Sequence, residues 1–376
     1  MRIAHLSLDE KFIDIAIDQF NLLSNVDSTF CAQANGNEFK FIKSKNVKLF
    51  HSSEDMVSFI NEGKFDYVVM HSMCISPRYL LKLEAPILWC SWGFDIYSDK
   101  SSIIKRIIHL SLYKPLTRAA ANVGPQSAKD KITLLLRKIG IRSKRQKRLD
   151  QLIKKIPYLS VVLPSEFEAV QKAYTHFKLF PFTYINRQKS VPFSPYTGTN
   201  NSILLGNSLD PANNHIDILD TLEKRSIRCN AYIPISYPVN DAYKKSLKDF
   251  ASKLKYVQVH FLEDYMPLSD YYKIIDGCSV AIFGHIRQQA IGNIFRMFYT
   301  GKKILLYKNS IAYNYFQKKN LHLFTIEDDL QASIFESPLS IEKQKINYDF
   351  ANDDDNFEKH MATLQTFFDQ LQKSIG

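Results

Sequence analysis

The chain offers little sulfur chemistry. Its five cysteines, Cys31, Cys74, Cys90, Cys229 and Cys278, are scattered, mostly within apolar runs, and form no CxxC pair. That argues against a zinc site and a disulfide framework, and for a reducing compartment. No stretch approaches the ~20 consecutive apolar residues that a bilayer-spanning helix needs. The amino terminus, MRIAHLSL, lacks the basic-then-apolar layout of a secretory signal and reads directly as a strand. A soluble cytoplasmic protein is the expectation. Also missing is an Asp-x-Asp pair after a buried strand, the arrangement that holds a divalent ion on a diphosphate. Asp353 and Asp355 have the spacing but follow no apolar strand, so they read as acids complementing a helix start. No metal or other cofactor is expected.

Acidic residues are scarce in one place. Between Ser127 and Lys155 eleven Lys or Arg face only Asp130 and Asp150, so nine of the eleven net positive charges of the chain sit there. The remainder is nearly neutral, and the basicity is a local device. Within this segment Ile132, Leu134, Leu135, Leu136, Ile139 and Ile141 form one apolar stripe, and Leu149, Leu152, Ile153 and Ile156 a second. Around them stand Lys131, Arg137, Lys138, Arg142, Lys144, Arg145, Lys147 and Arg148. A basic amphipathic helix pair suits an anionic membrane surface, each nearby cation being worth ~1 kcal/mol there. Nucleic acid is the other use of such a run, but aromatics are absent from it and no nucleic-acid-binding motif accompanies it.

What the chain does have is length and a repeated pattern. At 376 residues, 45% hydrophobic and 23% charged, it is globular and too long for one ordinary core. Strands are expected at Ile3–Leu8, Phe39–Ile42, Val47–Phe50, Phe65–His71, Pro86–Trp92 and Leu159–Leu163. Helices are expected at Phe12–Leu23, Glu54–Asn61, Pro77–Leu83 and Ser102–Tyr113, with another after a Ser165 cap. A polar stretch at 186–201 reads as a linker. A second alternation follows, with strands at Ile203–Leu205, Cys229–Ile233, Val257–Phe261, Val280–Phe283 and Lys303–Tyr307. Its helices lie near Ile216–Lys224, Asp241–Lys253, Leu268–Ile275 and Ile291–Tyr299. From Asp353 a terminal helix is expected, its apolar residues three and four apart. The prediction is an α/β protein of two doubly wound domains facing across a cleft. They span 1–190, with a basic insert at about 119–156, and 200–350, and a 353–376 helix packs back.

Ligands of such folds bind beyond the carboxyl ends of the strands. In the second half those positions hold Gly206, Asn207 and Ser208, then Tyr237, Glu263, and Arg287, Gln288 and Gln289, with Asn293 just beyond. Arg287 supplies a planar cationic fork for phosphate, and the helix start behind it supplies free N–H groups. A nucleoside-diphosphate site is the expectation. In the first half His71 ends one strand, and Asp95 follows the next in Trp92-Gly93-Phe94-Asp95. Either is a candidate general base, or else a satisfied strand-end histidine and a helix cap.

These residues carry a resemblance. The loop with Gly206, Asn207, Ser208, Asn214 and His215, the segment from Pro234 to Tyr243, and RQQAIG at Arg287–Gly292 resemble glycosyltransferase family 56. That is the family of TDP-N-acetylfucosamine:lipid II N-acetylfucosaminyltransferases. LFTIEDDL at Leu323–Leu330 adds to the match, and His71 with Trp92, Gly93, Asp95 and Tyr97 follows it more thinly. The resemblance implies a GT-B fold and a metal-independent hexosyltransferase, peripheral at the cytoplasmic face of the bacterial inner membrane. It implies a TDP- or UDP-sugar donor and a polyprenyl-diphosphate-linked glycan acceptor, in surface polysaccharide synthesis. By position, Gly206–Ser208, Tyr237 and Arg287–Gln289 would hold the donor, and His71 and Asp95 would face the acceptor or the anomeric carbon. Two departures stand out: Ala290 occupies a glycine position of the family motif, and the basic insert is longer than expected. A second class of function is a non-catalytic lipid- or nucleic-acid-binding protein that uses the 127–155 segment.

Overall fold

The computed structural model describes residues 1–97, 112–122, 143–172, 174–185, 192–354 and 357–374. These fold as two units. The first comprises the described parts of 1–97, 143–185 and 357–374, the second 112–122 and 192–354.

The first unit is built on strands β1 (Arg2–Leu8), β2 (Asp27–Gln33), β3 (Val47–Phe50), β4 (Tyr67–His71), β5 (Ile87–Cys90), β6 (Tyr158–Ser160) and β7 (Lys178–Leu179). They pair in the order β3-β2-β1-β4-β5-β6-β7, all parallel. β4 and β5 are buried at every residue, which is why YVVMH and ILWC are continuous apolar runs: helices cover both faces of the sheet. The terminal helix Phe357–Lys373 lays Phe357, Met361, Leu364, Phe368 and Leu371 onto this unit's core, where Phe368 meets Phe20 edge-on at 5.6 Å.

The second unit carries β8 (Ser202–Leu205), β9 (Cys229–Pro234), β10 (Val257–Leu262), β11 (Val280–Phe283), β12 (Lys303–Leu306) and β13 (Phe324–Thr325). Their order is β10-β9-β8-β11-β12-β13, again all parallel. The short helix Pro115–Ala120 belongs to this unit: Asp217 accepts from the N–H groups of Leu116 and Thr117, and Asn214 from Lys114. In both sheets the chain first winds one way and then jumps back across its first strand. The switch points therefore lie between β1 and β4 and between β8 and β11, where doubly wound sheets take their ligands.

Several local expectations give way to geometry. Phe39–Ile42 is a loop: the N–H groups of Lys40, Phe41 and Ile42 all bind the Asp9 carboxylate, as those of Lys43 and Ser44 bind Asp14. The strand beside β1 is instead Asp27–Gln33, in which only Phe30, Cys31 and Ala32 are buried. Ser165 is no cap; the helix runs from Pro164, whose fixed φ suits a first helical position. Asp353 and Asp354 do not open the terminal helix. Their backbone closes a preceding one, Ile341–Asp354, whose apolar residues lack a clean stripe. Most of the expected 102–113 helix lies outside the described residues, and Leu112 and Tyr113 are not helical.

Candidate functional site

The second sheet gathers its polar loops at the β8/β11 switch point. Gly206 leaves β8 with φ +71, and a Cβ there would lie 2.6 Å from His215 Nε2 and 3.0 Å from Asn213 Oδ1. Only glycine fits such a turn. Ser208 is buried, and its carbonyl and hydroxyl both receive the Asn213 amide. Across the switch, Gln289 Nε2 donates to Asn207 Oδ1 at 2.9 Å. Asn207 also pairs with the Tyr237 hydroxyl, while the Leu209 N–H donates to the Tyr237 carbonyl at 2.6 Å. Five of the expected residues, Asn207, Ser208, Tyr237, Arg287 and Gln289, thus meet in one cluster beyond β8, β9 and β11.

Arg287 is not an unpartnered cation. Its Nη2 donates to Asp210 Oδ2 at 2.6 Å and its Nη1 to the Gln288 carbonyl at 3.2 Å. Asp210 also caps the turn Pro211–Asn213. Behind Arg287 the helix Ile291–Tyr299 starts from Ala290, which sits in the left-handed region at φ 60, ψ 20. This explains why a glycine belongs at that place in the family motif. Gly292 lies in the first turn, and a Cβ on it would meet nothing within 4 Å. The first-turn N–H groups of such a helix start favour an anion. Asn293 donates to the Tyr271 hydroxyl at 2.8 Å.

Around this switch point the buried atoms Asn213 Oδ1, His215 Nε2, His285 Nε2 and Gln289 Oε1 have no hydrogen-bond partner among the described residues. Each such atom costs about 1–3 kcal/mol unless a ligand or solvent satisfies it. Burial pushes the His215 imidazole down to about 4; burial and the Arg287 charge push His285 down to about 3. Both rings are therefore neutral at pH 7. His285 Nδ1 faces the Arg287 carbonyl at 3.1 Å and must donate to it. Its Nε2 is then a bare acceptor, suited to a hydroxyl or N–H. Asp210, Asn213 and His285 escaped the sequence analysis, although His285 stands two residues beyond β11 and the strand-end rule covers it.

Glu263 does not join the cluster. It follows β10, the edge strand, and its carboxylate binds Lys248 at 2.5 Å and Lys244 at 2.9 Å. It neutralises the lysines of helix Asp241–Ala251 and has no part at the switch point.

In the first unit both candidate bases are fully engaged. Asp95 is buried and accepts from Trp89 Nε1, the Ser91 hydroxyl and the backbone N–H groups of Met73, Trp92 and Ile96. Burial raises its pKa against these hydrogen bonds. It lies inside the short helix Phe94–Tyr97 and ties the turn after β5 to the turn after β4, so it serves neither as the expected cap nor as a free base. His71 is fully buried between His5 Nδ1 (3.0 Å) and the Tyr184 hydroxyl (2.6 Å), and Trp92 Nε1 donates to that hydroxyl at 2.8 Å. A consistent assignment runs Trp92 to Tyr184 to His71 Nδ1, then His71 Nε2–H to His5 and His5 Nε2–H to Ser28. Burial pushes His71 down to about 3. With both nitrogens committed it is the satisfied histidine and not a base.

The basic segment is described only in part. Lys131, Arg137, Lys138 and Arg142 lie outside the described residues. Lys144, Arg145, Lys147 and Arg148 are exposed on the helix Lys144–Lys155, which opens with a capping box of Ser143 and Gln146. Its apolar face does not wait for lipid: Leu149, Leu152, Ile153 and Ile156 are buried within the protein, each worth about 1.5–3 kcal/mol. Only the basic face is available. Among the described residues no helix is long and apolar enough to cross a membrane, and no three His, Cys, Asp or Glu side chains gather as metal ligands would.

The architecture is similar to several solved structures, glycosyltransferases among them. HepE of Anabaena, in complex with UDP, is 11% identical over 100% of both chains, with a TM-score of 0.57. WaaG, a glycosyltransferase involved in lipopolysaccharide biosynthesis, is 11% identical over 94% of this chain and 95% of its own, at 0.56. The N-terminal domain of Candida albicans trehalose-6-phosphate phosphatase is 8% identical over 99% and 96%, at 0.61. At such identities the likeness establishes the fold, which is GT-B, with two Rossmann-like sheets. The sequence family described as 4-alpha-L-fucosyltransferase, glycosyl transferase group 56, matches residues 127–366. That stretch is well over half of the chain and includes every residue of the β8/β11 cluster, and the protein accordingly belongs to glycosyltransferase family 56.

Proposed function

We propose that this glycosyltransferase moves a deoxy-acetamido sugar, or a related deoxyhexose, from a TDP- or UDP-linked donor to a polyprenyl-diphosphate-linked glycan. The reaction takes place at the cytoplasmic face of the bacterial inner membrane, in surface polysaccharide synthesis, and needs no metal. The observation that carries the donor site is the set of buried atoms without a partner among the described residues around Gly206, His285 and Gln289, beside Arg287 and the start of helix Ile291–Tyr299. The diphosphate replaces Asp210 on Arg287 and meets the N–H groups at Ile291–Asn293. Arg287 then offsets the charge that grows on the leaving diphosphate, as a preorganised cation does without reorganising. The Tyr237 ring is half exposed and is placed to stack on the base or the sugar.

Three points support the finer assignment. HepE was solved with UDP and with UDP-glucose. WaaG serves lipopolysaccharide biosynthesis. The family description names fucosyl transfer, and fucose is a deoxyhexose. With Asp95 and His71 committed elsewhere, the base falls to Glu10. It follows β1 at the first sheet's switch point, makes no side-chain hydrogen bond among the described residues, and has its pKa raised by burial. Family membership sets aside the non-catalytic alternative.

A transfer assay tests the proposal. Labelled TDP- and UDP-sugars are incubated with polyprenyl-diphosphate-linked glycan and EDTA, and the organic phase is counted. Label is expected there. Label confined to water-soluble products, or transfer that requires added metal, contradicts the proposal.

A further inference from the structure

An open pocket of about 490 Å³ lies in the first unit between the segment that follows β4 and the helix Lys144–Lys155. Its wall includes Met73, Cys74, Ser76 and Arg78 on one side and Arg145 and Arg148 on the other. The volume is within the ~300–1,000 Å³ of small-ligand sites. Arg78, Arg145 and Arg148 line it, and no carboxylate is among its described lining residues. Arg145 and Arg148, three residues apart, lie on one helix face, exposed and without a hydrogen-bond partner among the described residues. Arg78 donates to the Tyr79 hydroxyl and stacks on that ring at 4.4 Å. Arg78 interacts electrostatically with Glu54, which is already bound to Lys82 at 2.6 Å.

Three cationic side chains line one concavity with no carboxylate among its described lining residues; Asp95, which holds the Met73 N–H behind the wall, is buried and committed to its own donors. The missing partner is an anion with oxygens enough for several guanidinium forks, which phosphate groups match in geometry. The location is as specific as the charge. Segment 73–78 leaves β4 at the β1/β4 switch point, where a doubly wound sheet takes its ligand. The nucleotide has its own cluster on the other sheet. The apolar face of the helix is buried in the core, so its arginines are held on a fixed wall, unlike those of a helix lying in lipid.

We propose that this pocket binds the diphosphate of the polyprenyl-diphosphate acceptor, with Arg78, Arg145 and Arg148 as its ligands; this rests on the acceptor reading given above. It makes the pocket an acceptor subsite and not a general patch for membrane lipid.

The probe is farnesyl diphosphate, titrated calorimetrically with UDP and TDP in excess to fill the donor site. Two variants sample the two walls, the double Arg145→Ala/Arg148→Ala and Arg78→Ala. Each is expected to weaken farnesyl diphosphate at least tenfold and to raise KM for the lipid-linked acceptor similarly, with donor KM unchanged. Flotation on phosphatidylglycerol vesicles is expected to change less than twofold for Arg78→Ala. Unchanged farnesyl diphosphate affinity in both variants overturns the proposal. So does lost flotation with retained affinity, which makes the arginines a lipid-surface contact. If wild type glycosylates the lipid-linked acceptor while the variants keep its KM, the pocket fails and the acceptor reading stands. If the variants lose farnesyl diphosphate but wild type uses no lipid-linked acceptor, the acceptor reading fails, and the assignment to the acceptor with it.

Discussion

Replacing Arg287 with alanine separates a binding role from a structural one, because the two roles predict losses of different size. The Arg287–Asp210 pair is close, at 2.6 Å, with side-chain exposures of 13% and 26%. Water screens the carboxylate, so its loss of a partner costs folding about 1 kcal/mol, well below the ~3–5 kcal/mol of a fully buried pair. In a unit of this size that lowers Tm by roughly 2–4 °C. On a bound diphosphate the same guanidinium would make two charge-assisted hydrogen bonds, each worth about 1.5–3 kcal/mol. Their removal weakens UDP or TDP by roughly 10²–10³-fold or more, taking the lower half of that range and ~1.4 kcal/mol per decade. Calorimetric titration with scanning fluorimetry on the same samples reads both numbers. Lysine at 287 should recover part of the affinity, since it keeps the charge but not the fork. Nucleotide affinity within threefold of wild type, together with a Tm fall above about 8 °C, refutes the reasoning and makes Arg287 a structural partner of Asp210.

Gly206→Ala forces a left-handed alanine, costing about 1–2 kcal/mol, and a Cβ 2.6 Å from His215 Nε2, an overpacking of about 1–3 kcal/mol more. Scanning fluorimetry should show a Tm fall of roughly 6–12 °C at about 3 kcal/mol. Ala290→Gly runs the other way: it relieves φ 60 but frees the unfolded chain, for a net gain of about 0.5–1 kcal/mol and a Tm rise of a degree or more. His71, His215 and His285 have folded pKa values pushed down to about 3, 4 and 3 from an ordinary 6.5. Their neutral forms support the fold fully above pH 6.5, and that support is lost as pH falls toward the folded values, by up to ~1.4 kcal/mol per pH unit per site. Tm should therefore drop from pH 7 to pH 5, and His285→Gln should make the drop shallower. Glu10→Gln should lower kcat by about 10²–10⁴-fold, the usual worth of a general base, with UDP or TDP affinity unchanged in titration; an unaltered kcat removes Glu10 from that role.

Much of the fold was legible because parallel strands buried on both faces must be apolar throughout. YVVMH, ILWC and VAIF announce themselves. DSTFCAQ does not, because burial falls on only three of its seven residues. The loop at 39–42 misled for the opposite reason: Phe39, Phe41 and Ile42 are apolar, but the N–H groups of Lys40, Phe41 and Ile42 are claimed by Asp9, far back in the chain. The β8/β11 cluster was legible through a positional rule, since residues just past the strands of a doubly wound sheet gather at its switch point. The rule fails at Glu263 because β10 is an edge strand, and strand order is not written in the local sequence. His71 also ended a strand and Asp95 followed one, and the sequence did not tell that a hydroxyl and a second imidazole flank His71 or that five donors converge on Asp95. Burial by distant partners, such as Tyr184 against His71, is a property of the folded chain alone.

The most direct test of the account is a calorimetric titration of the protein with TDP, UDP, GDP and ADP, each with and without EDTA. The β8/β11 cluster, with Arg287 as its cation, predicts that one pyrimidine diphosphate binds at micromolar levels, unaffected by EDTA, and that binding is lost in Arg287→Ala. No heat with any of the four, or binding that EDTA abolishes, contradicts the donor site described here.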